Sequence, residues 1–426
     1  MTSRIDPRRL RAIIGGSAGN LVEWYDWFAY ASLAIYFAPR FFPKGDPTAQ
    51  LLSTAAIFAV GFLMRPLGAW VMGIYGDRHG RKAGLAISVG LMFAGSALIA
   101  VTPTYDTIGA AAPALLLLAR MMQGLSVGGE YGASATYLSE MATPDRRGFY
   151  SSFQYVTLIA GQLTALGVLL ILQAAMPEPA LEAWGWRIPF AIGAVLALAV
   201  YLLRRNLAET AAFGRIDRAA PASSARELWR AHRHPAILLG MMTAGGSAAF
   251  YAYTTYLQKL LVNTSGFARE DATLITAAAL FLFAAVQPLF GLLSDRIGRK
   301  PLLLAFGVSG MLVTVPVFAA LRGADTPLEA FALALVPLLA LAPYTAVGAI
   351  IKAELFPAHI RTLGVALPYA IGNAAFGGTS EYVALWFKDQ GVEAAFGWYI
   401  TALIGVALIA FVLVPDSKAV SLIEED

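Results

Sequence analysis

The feature that most constrains this chain is a series of long charge-free stretches, residues 148–177, 235–258, 272–294, 301–321, 330–351 and 394–415. Each is longer than the roughly 18–20 residues that a helix needs to cross about 30 Å of hydrocarbon. Hydrocarbon offers backbone N–H and C=O groups no water, so such stretches must satisfy them internally, as helices. Composition agrees: 58% of the residues are hydrophobic and 14% are charged, against about 25% charged in a soluble domain. With the remaining apolar segments included, the expected fold is all-α and membrane-integral. Twelve transmembrane helices are expected near 12–38, 50–75, 83–102, 112–138, 148–174, 187–204, 235–261, 271–294, 301–321, 327–352, 362–387 and 393–414. The first is too long and too polar at its centre for a cleaved signal peptide.

A repeat organises these helices. GIYGDRHGRK (73–82) returns as GLLSDRIGRK (291–300), with Gly73, Asp77, Arg78, Gly80, Arg81 and Lys82 matched at an offset of 218 residues. Each copy joins two apolar segments, which implies two homologous six-helix halves. The expected division is residues 1–205 and 235–414 for the halves, a polar linker 206–234 and a tail 415–426. Orientation follows from Lys and Arg. With both termini inside, 22 of the 31 basic residues lie in cytoplasmic segments. Seven lie outside (Arg40, Lys44, Arg187, Lys259, Arg269, Arg322 and Lys388), and Arg65 and Arg120 fall within spans. The positive-inside rule therefore places both repeat loops and both termini in the cytoplasm. The net charge of +4 is mostly this bias and calls for no nucleic-acid partner.

Several chemistries are excluded. Without cysteine there is no disulfide, thiolate metal site or iron–sulfur cluster. The four histidines (His79, His232, His234 and His359) lie in loops without metal-ligand spacing. No lysine precedes Ser or Thr, so there is no Walker A phosphate loop. No cofactor is implied; two homologous halves are the plan of many secondary transporters, and transport by this chain would have to run on gradients. A membrane-embedded enzyme would need a nucleophile or metal cluster near the interface, and none is visible.

The informative residues are ionisable groups kept inside apolar helices at a cost of ~3 kcal/mol each. Helix 1 reads GNLVEWYDWFAY, with Glu23 and Asp26 on one face and Tyr30 one turn beyond Asp26. Helix 2 holds Arg65, and helix 4 holds Arg120 and Glu130, about 15 Å apart at 1.5 Å per residue. The first half thus buries two fixed cations and three titratable acids, whereas the second has almost nothing ionised at mid-depth, Glu381 lying outward. Each acid has a plainer reading as a neutralising partner for an arginine. The glycines Gly124, Gly128, Gly129 and Gly132 of helix 4 read as close-packing positions. Tyr131, Gln154, Tyr253 and Tyr256 are candidates for neutral hydrogen bonds to a substrate. Glu140 precedes Arg147 by seven residues, and Glu354 precedes Arg361 by seven, at the turns between helices 4 and 5 and between helices 10 and 11.

From Arg11 to Val414 the sequence resembles the major facilitator superfamily, and within it the metabolite:proton symporters. The repeated GxxxDRxGRK loop carries the superfamily resemblance, with Arg120, Gln123 and Gly124 fitting its helix-4 motif. GNLVEWYDW (19–27), GFLMRP (61–66), QGLSVGGEY (123–131), WGWRIPF (184–190) and KAELFP (352–357) mark the narrower group. RRGFYSSFQYVTL (146–158), TTYLQKLLVNTSG (254–266) and FGGTSEYVAL (376–385) look like members that carry α-ketoglutarate. The resemblance implies a functional monomer in the bacterial inner membrane. It also implies a cytoplasmic gate in which Asp77, Arg78, Arg81, Glu140 and Arg147, with Asp295, Arg299, Glu354 and Arg361, meet one another and helix dipoles when the inner side is shut.

The expected mechanism is rocker-switch symport of a small carboxylate with protons. An entering dicarboxylate would take over Arg65 and Arg120 through bidentate contacts. Displaced from their counter-ions, Glu23, Asp26 or Glu130 would gain proton affinity and load protons. Importing a dianion against about −100 mV costs about 4.6 kcal/mol; one proton leaves net negative charge, two make the step electroneutral, and three draw on the potential. Citrate, shikimate, or a zwitterion such as proline or betaine remain as alternative substrates. A drug antiporter is disfavoured because YSSFQYVTLIAGQLTALG has no Gly-Pro pair, and a channel because the repeat implies paired gates.

Overall fold

A computed structural model describes residues 7–43, 45–79, 81–128, 144–205, 224–357, 360–418 and 421–423. Every regular element among them is helical. The principal helices are α1 (Pro7–Phe41), α2 (Pro47–His79), α3 (Arg81–Val101), α4 (Ala111–Val127), α5 (Arg147–Ala175) and α6 (Arg187–Arg205). They continue as α7 (Arg233–Asn263), α8 (Arg269–Ile297), α9 (Lys300–Arg322), α10 (Pro327–Glu354), α11 (Arg361–Gly372), α12 (Ser380–Asp389) and α13 (Ala395–Leu413). Among the described residues, seven helices are long and apolar enough to cross a membrane. An eighth is added if the Glu178–Gly185 turn and Arg187–Leu202, bent by 47°, form one span.

Two groups of helices repeat one packing scheme. In the first, α1 packs on α5 and α6, α2 on α4, and α3 on α4 and α6. In the second, α7 packs on α11 and α13, α8 on α10, and α9 on α10 and α13. Between the groups, α5 lies along α8 and α10, and α2 along α12. Outward-facing apolar side chains such as Trp70, Val101, Phe281, Leu312 and Val412 are exposed. A lipid surround accommodates a surface of that kind, and water does not.

Glycine brings α2 and α4 together at Gly124 and Gly128, as expected of these two; Gly129 and Gly132 lie outside the described residues. A Cβ on Gly124 would stand 2.0 Å from the Gly61 carbonyl oxygen, and one on Gly128 would stand 2.1 Å from that of Arg65. Such close approach is open only to glycine. It sets the arginines of the two helices within one cluster. The expected eleventh helix is not continuous. A π-helical turn, Asn373–Gly377, separates α11 from α12, where Gly378 is pressed against Phe62 and a Cβ would lie 2.3 Å from its ring.

Candidate functional site

Arg65 and Arg120 converge on one indole. Both are buried, and each guanidinium carbon stands 4.0 Å from the centroid of the Trp27 ring. The two cations are therefore at most twice that distance apart. Phe62 and Trp24 complete the aromatic wall at Arg65, and Tyr30 and Phe58 complete it at Arg120. Aromatic faces offset part of the cost of burying a guanidinium. They do not satisfy its N–H groups: among the described residues, Nε and Nη2 of both arginines have no hydrogen-bond acceptor. Buried donors in that condition are costly and are aimed at something that can accept.

The acids of α1 take different positions. Asp26 is fully buried and held by residues of the first helix group. Ser96 of α3 donates to its Oδ1 at 2.7 Å, Gln123 of α4 donates to its Oδ2, and the α6 backbone closes over it at Gly193. Gln123 also accepts from Arg120 Nη1 at 2.7 Å. The direct Asp26–Arg120 pairing that the sequence allowed is thus replaced by a relay through one amide, because Gln123 lies one turn from Arg120 on the same helix. Glu23 is buried within electrostatic reach of Arg65.

The second helix group meets this cluster through Tyr251, not through the tyrosines expected. Tyr251 packs edge-on against Phe62 at 5.1 Å and lies beside Arg65. The Tyr253 hydroxyl is turned to Thr314 at 2.5 Å, and that of Tyr256 donates to Glu393 at 3.3 Å. Both contacts lie within the second group. Two residues on a helix are about 200° apart, so Tyr251 and Tyr253 face opposite ways. Gln154 is buried on α5, next to Tyr155, which packs on Phe250 at 5.7 Å.

The second half is also more charged inside than its sequence implied. Lys259, counted above among outer residues, is fully buried and paired with Glu381 at 3.1 Å. Lys352, counted in an inner loop, is buried over the Tyr369 ring at 4.1 Å.

Both ends of the central contact are held. On one side Arg269 pairs with Glu182 at 2.5 Å, and Lys259 donates to the Ala31 carbonyl at 2.6 Å. On the other, Asp295 accepts from the Gly148 and Phe149 amides at 2.7 and 2.9 Å, where the free N–H groups and dipole of α5 favour an anion. Arg299 pairs with Asp295 at 2.9 Å and with Glu354 at 3.6 Å. Arg147 is buried within electrostatic reach of Glu354, and Arg361 donates to the Phe356 and Leu422 carbonyls at 3.1 and 2.7 Å. The tail docks here too: Ser417 donates to Glu354 and Asp416 accepts from the Arg299 amide, at 2.5 and 3.0 Å. Glu130, Tyr131 and Glu140 lie outside the described residues, as do the side chains of Asp77, Arg78 and Arg81.

With this geometry in view, comparison with known proteins decides the family. The sequence matches the family described as "Sugar (and other) transporter" over residues 12–226 and again over 214–426. The chain belongs to that family. It is 53% identical to the alpha-ketoglutarate permease of Escherichia coli (strain K12), covering 96% of this chain and 94% of the relative. It is 35% identical to the citrate-proton symporter of Salmonella typhi, covering 96% and 94%. The fold is that of the major facilitator superfamily proton:xylose symporter XylE, with a TM-score of 0.74, 97% of each chain covered and 19% identity. The superfamily read from the loop motif is therefore correct, and the family's members are transporters rather than enzymes.

Proposed function

We propose that this chain is a proton-coupled symporter that imports a small carboxylate, α-ketoglutarate foremost, across the bacterial inner membrane by alternating access. The observation that carries this reading is the pair of buried arginines on Trp27 with unsatisfied Nε and Nη2 donors. A carboxylate is the acceptor such forks suit best. The relatives named for alpha-ketoglutarate and for citrate with protons support the same class. Citrate is the second reading, resting on the latter.

The architecture we propose is twelve spans in two six-helix halves, 1–205 and 235–414, with linker 206–234, tail 415–426 and both termini cytoplasmic. The duplicated loop, the repeated helix packing and the family match on each half support it, and the Lys and Arg distribution supports the orientation. The protein acts as a monomer in the bilayer, with organic anion and protons as its only cargo.

Transport begins when the anion reaches Arg65 and Arg120 from outside. Once Arg120 turns to it, Gln123 loses its partner and its hold on Asp26 shifts. Asp26, dry and without a direct cation, takes a proton. Glu23 answers to Arg65 in the same way, and Glu130, Tyr131 and Gln154 are further candidates on the neighbouring helices. The residues Asp77, Arg78, Arg81, Glu140, Arg147, Asp295, Arg299, Glu354 and Arg361 form the cytoplasmic gate, closed while the Asp295 carboxylate caps α5.

The test is uptake of labelled α-ketoglutarate into proteoliposomes, with and without an inward proton gradient, and with succinate, citrate, shikimate and proline as competitors. Gradient-driven accumulation blocked by unlabelled α-ketoglutarate and not by proline is expected. Accumulation of a competitor alone would move the substrate, and unsaturable flux would replace the carrier by a channel.

A further inference from the structure

The Lys259–Glu381 pair takes no part in the steps above. Lys259 has no exposed surface and Glu381 is 3% exposed. Besides its ion pair with Glu381, the Lys259 ammonium donates to the Ala31 carbonyl at 2.6 Å, so a charge on α7 is anchored to α1. Ala31 follows Tyr30, whose ring stands 4.4 Å from the Arg120 guanidinium carbon. Tyr30 is within electrostatic reach of both Arg120 and Glu381, so this turn of α1 links the pair to the arginine cluster, on the side held by Arg269. The described titratable groups that act on Glu381 or feel it are Lys259, Tyr30 and Tyr256.

Stability gives weak grounds for such a pair. Replacing a buried ion pair by apolar side chains of similar volume is often neutral or stabilising, and ionisable groups inside a membrane protein mark ion and substrate pathways. Charge balance gives stronger grounds. The four cations Arg65, Arg120, Lys259 and Lys352 are matched in number by the four acids Glu23, Asp26, Glu130 and Glu381 of the expected helices. An entering dianion adds two negative charges, and two protons restore the balance.

We infer that Lys259 and Glu381 form a second anion- and proton-handling site beside the arginines. The inference rests on the proton-coupled import proposed above and assigns its second proton. With one carboxylate of the substrate on the arginines, the other takes the Lys259 ammonium from Glu381. The freed Glu381 carboxylate accepts a proton from hydronium in the outer water, forming one O–H bond and leaving water. Asp26 takes the other proton. The loaded site holds one dianion and two protons and is neutral relative to the empty one. On the inner side both carboxyls return their protons to water, the anion leaves, and Glu381 re-forms its pair with Lys259.

The experiment is steady-state accumulation of α-ketoglutarate in proteoliposomes at a fixed pH gradient, with and without a valinomycin-clamped potential of about −100 mV inside. The unaltered protein should accumulate about a hundredfold per pH unit and ignore the potential, as two protons require. Glu381→Gln should retain α-ketoglutarate exchange, accumulate only about tenfold per pH unit, and lose about fiftyfold more at that potential. If Glu381→Gln fails to exchange, proton uptake on α-ketoglutarate binding is measured in weakly buffered detergent solution, and should fall from two protons per anion in the unaltered protein to one in the variant. A variant that keeps the hundredfold slope and the indifference to potential overturns the inference. So does an unaltered protein whose accumulation follows the potential. Absence of any gradient-driven accumulation in the unaltered protein is a different result, and refutes the import reading itself.

Discussion

Arg65 places a guanidinium against three aromatic rings, at 5.0, 4.0 and 4.1 Å from Trp24, Trp27 and Phe62. A lysine there keeps the charge and loses both the planar stacking and the fork. Arg65→Lys should therefore lower the uptake rate at subsaturating α-ketoglutarate by about tenfold or more, equivalent to about 1.4 kcal/mol; a rate near that of the unaltered protein would remove Arg65 from the site. The arginines and Asp26 were legible in the sequence because a charge inside an apolar helix has few reasons to persist. Their shared partner was not. Trp27 reads as one aromatic among several, and only the packing of α2 and α4 against α1 brings both cations to its ring. Lys259 was misplaced for a related reason: it stands four residues before the end of α7, and a basic residue at the outer end of an expected span was counted with the outer ones. Its burial depends on Ala31 and Glu381, which are distant in the chain.

Helices α2 and α4 owe their closeness to glycine, and the consequence is measurable. Gly128→Ala would force a methyl group to 2.1 Å from the Arg65 carbonyl oxygen, so the two helices must separate or bend. That should cost about 1–3 kcal/mol, seen as a lowered thermal unfolding midpoint in detergent and a loss of uptake. Gly90→Ala on α3 meets nothing within 4 Å and should leave the midpoint unchanged or raise it slightly. Equal midpoints for the two variants would contradict the close-packing account. At this scale the sequence placed the helices well and their interruptions poorly. A run of apolar residues marks a span by length, but the π-helical turn Asn373–Gly377 arises where α11 meets Phe62 and Tyr251. Its local trace was Gly377-Gly378. The role of Ser96 in holding Asp26 was hidden for the same reason, since a lone serine in an apolar helix carries no pattern.

Across the molecule, the two helix groups touch at both ends, through Arg269, Glu182, Lys259 and Ala31 on one side and Asp295 with the α5 N-terminus on the other. Alternating access would break the contacts of one end while those of the other hold. The duplicated loop announced two halves, and one copy, Asp295 with Arg299, is seen engaged. What the sequence did not announce is the tail. Asp416, Ser417 and Lys418 bond to Arg299, Glu354 and Asp295, and short polar residues after a last helix give no hint of docking. Symport of this kind requires that anion and protons move together. The most direct measurement is internal pH, followed with a trapped dye in proteoliposomes held at equal pH inside and out, when α-ketoglutarate is added outside. Coupled import predicts that the lumen acidifies as the anion enters, to an extent that saturates with α-ketoglutarate concentration. Entry of labelled α-ketoglutarate with no change in internal pH would contradict it.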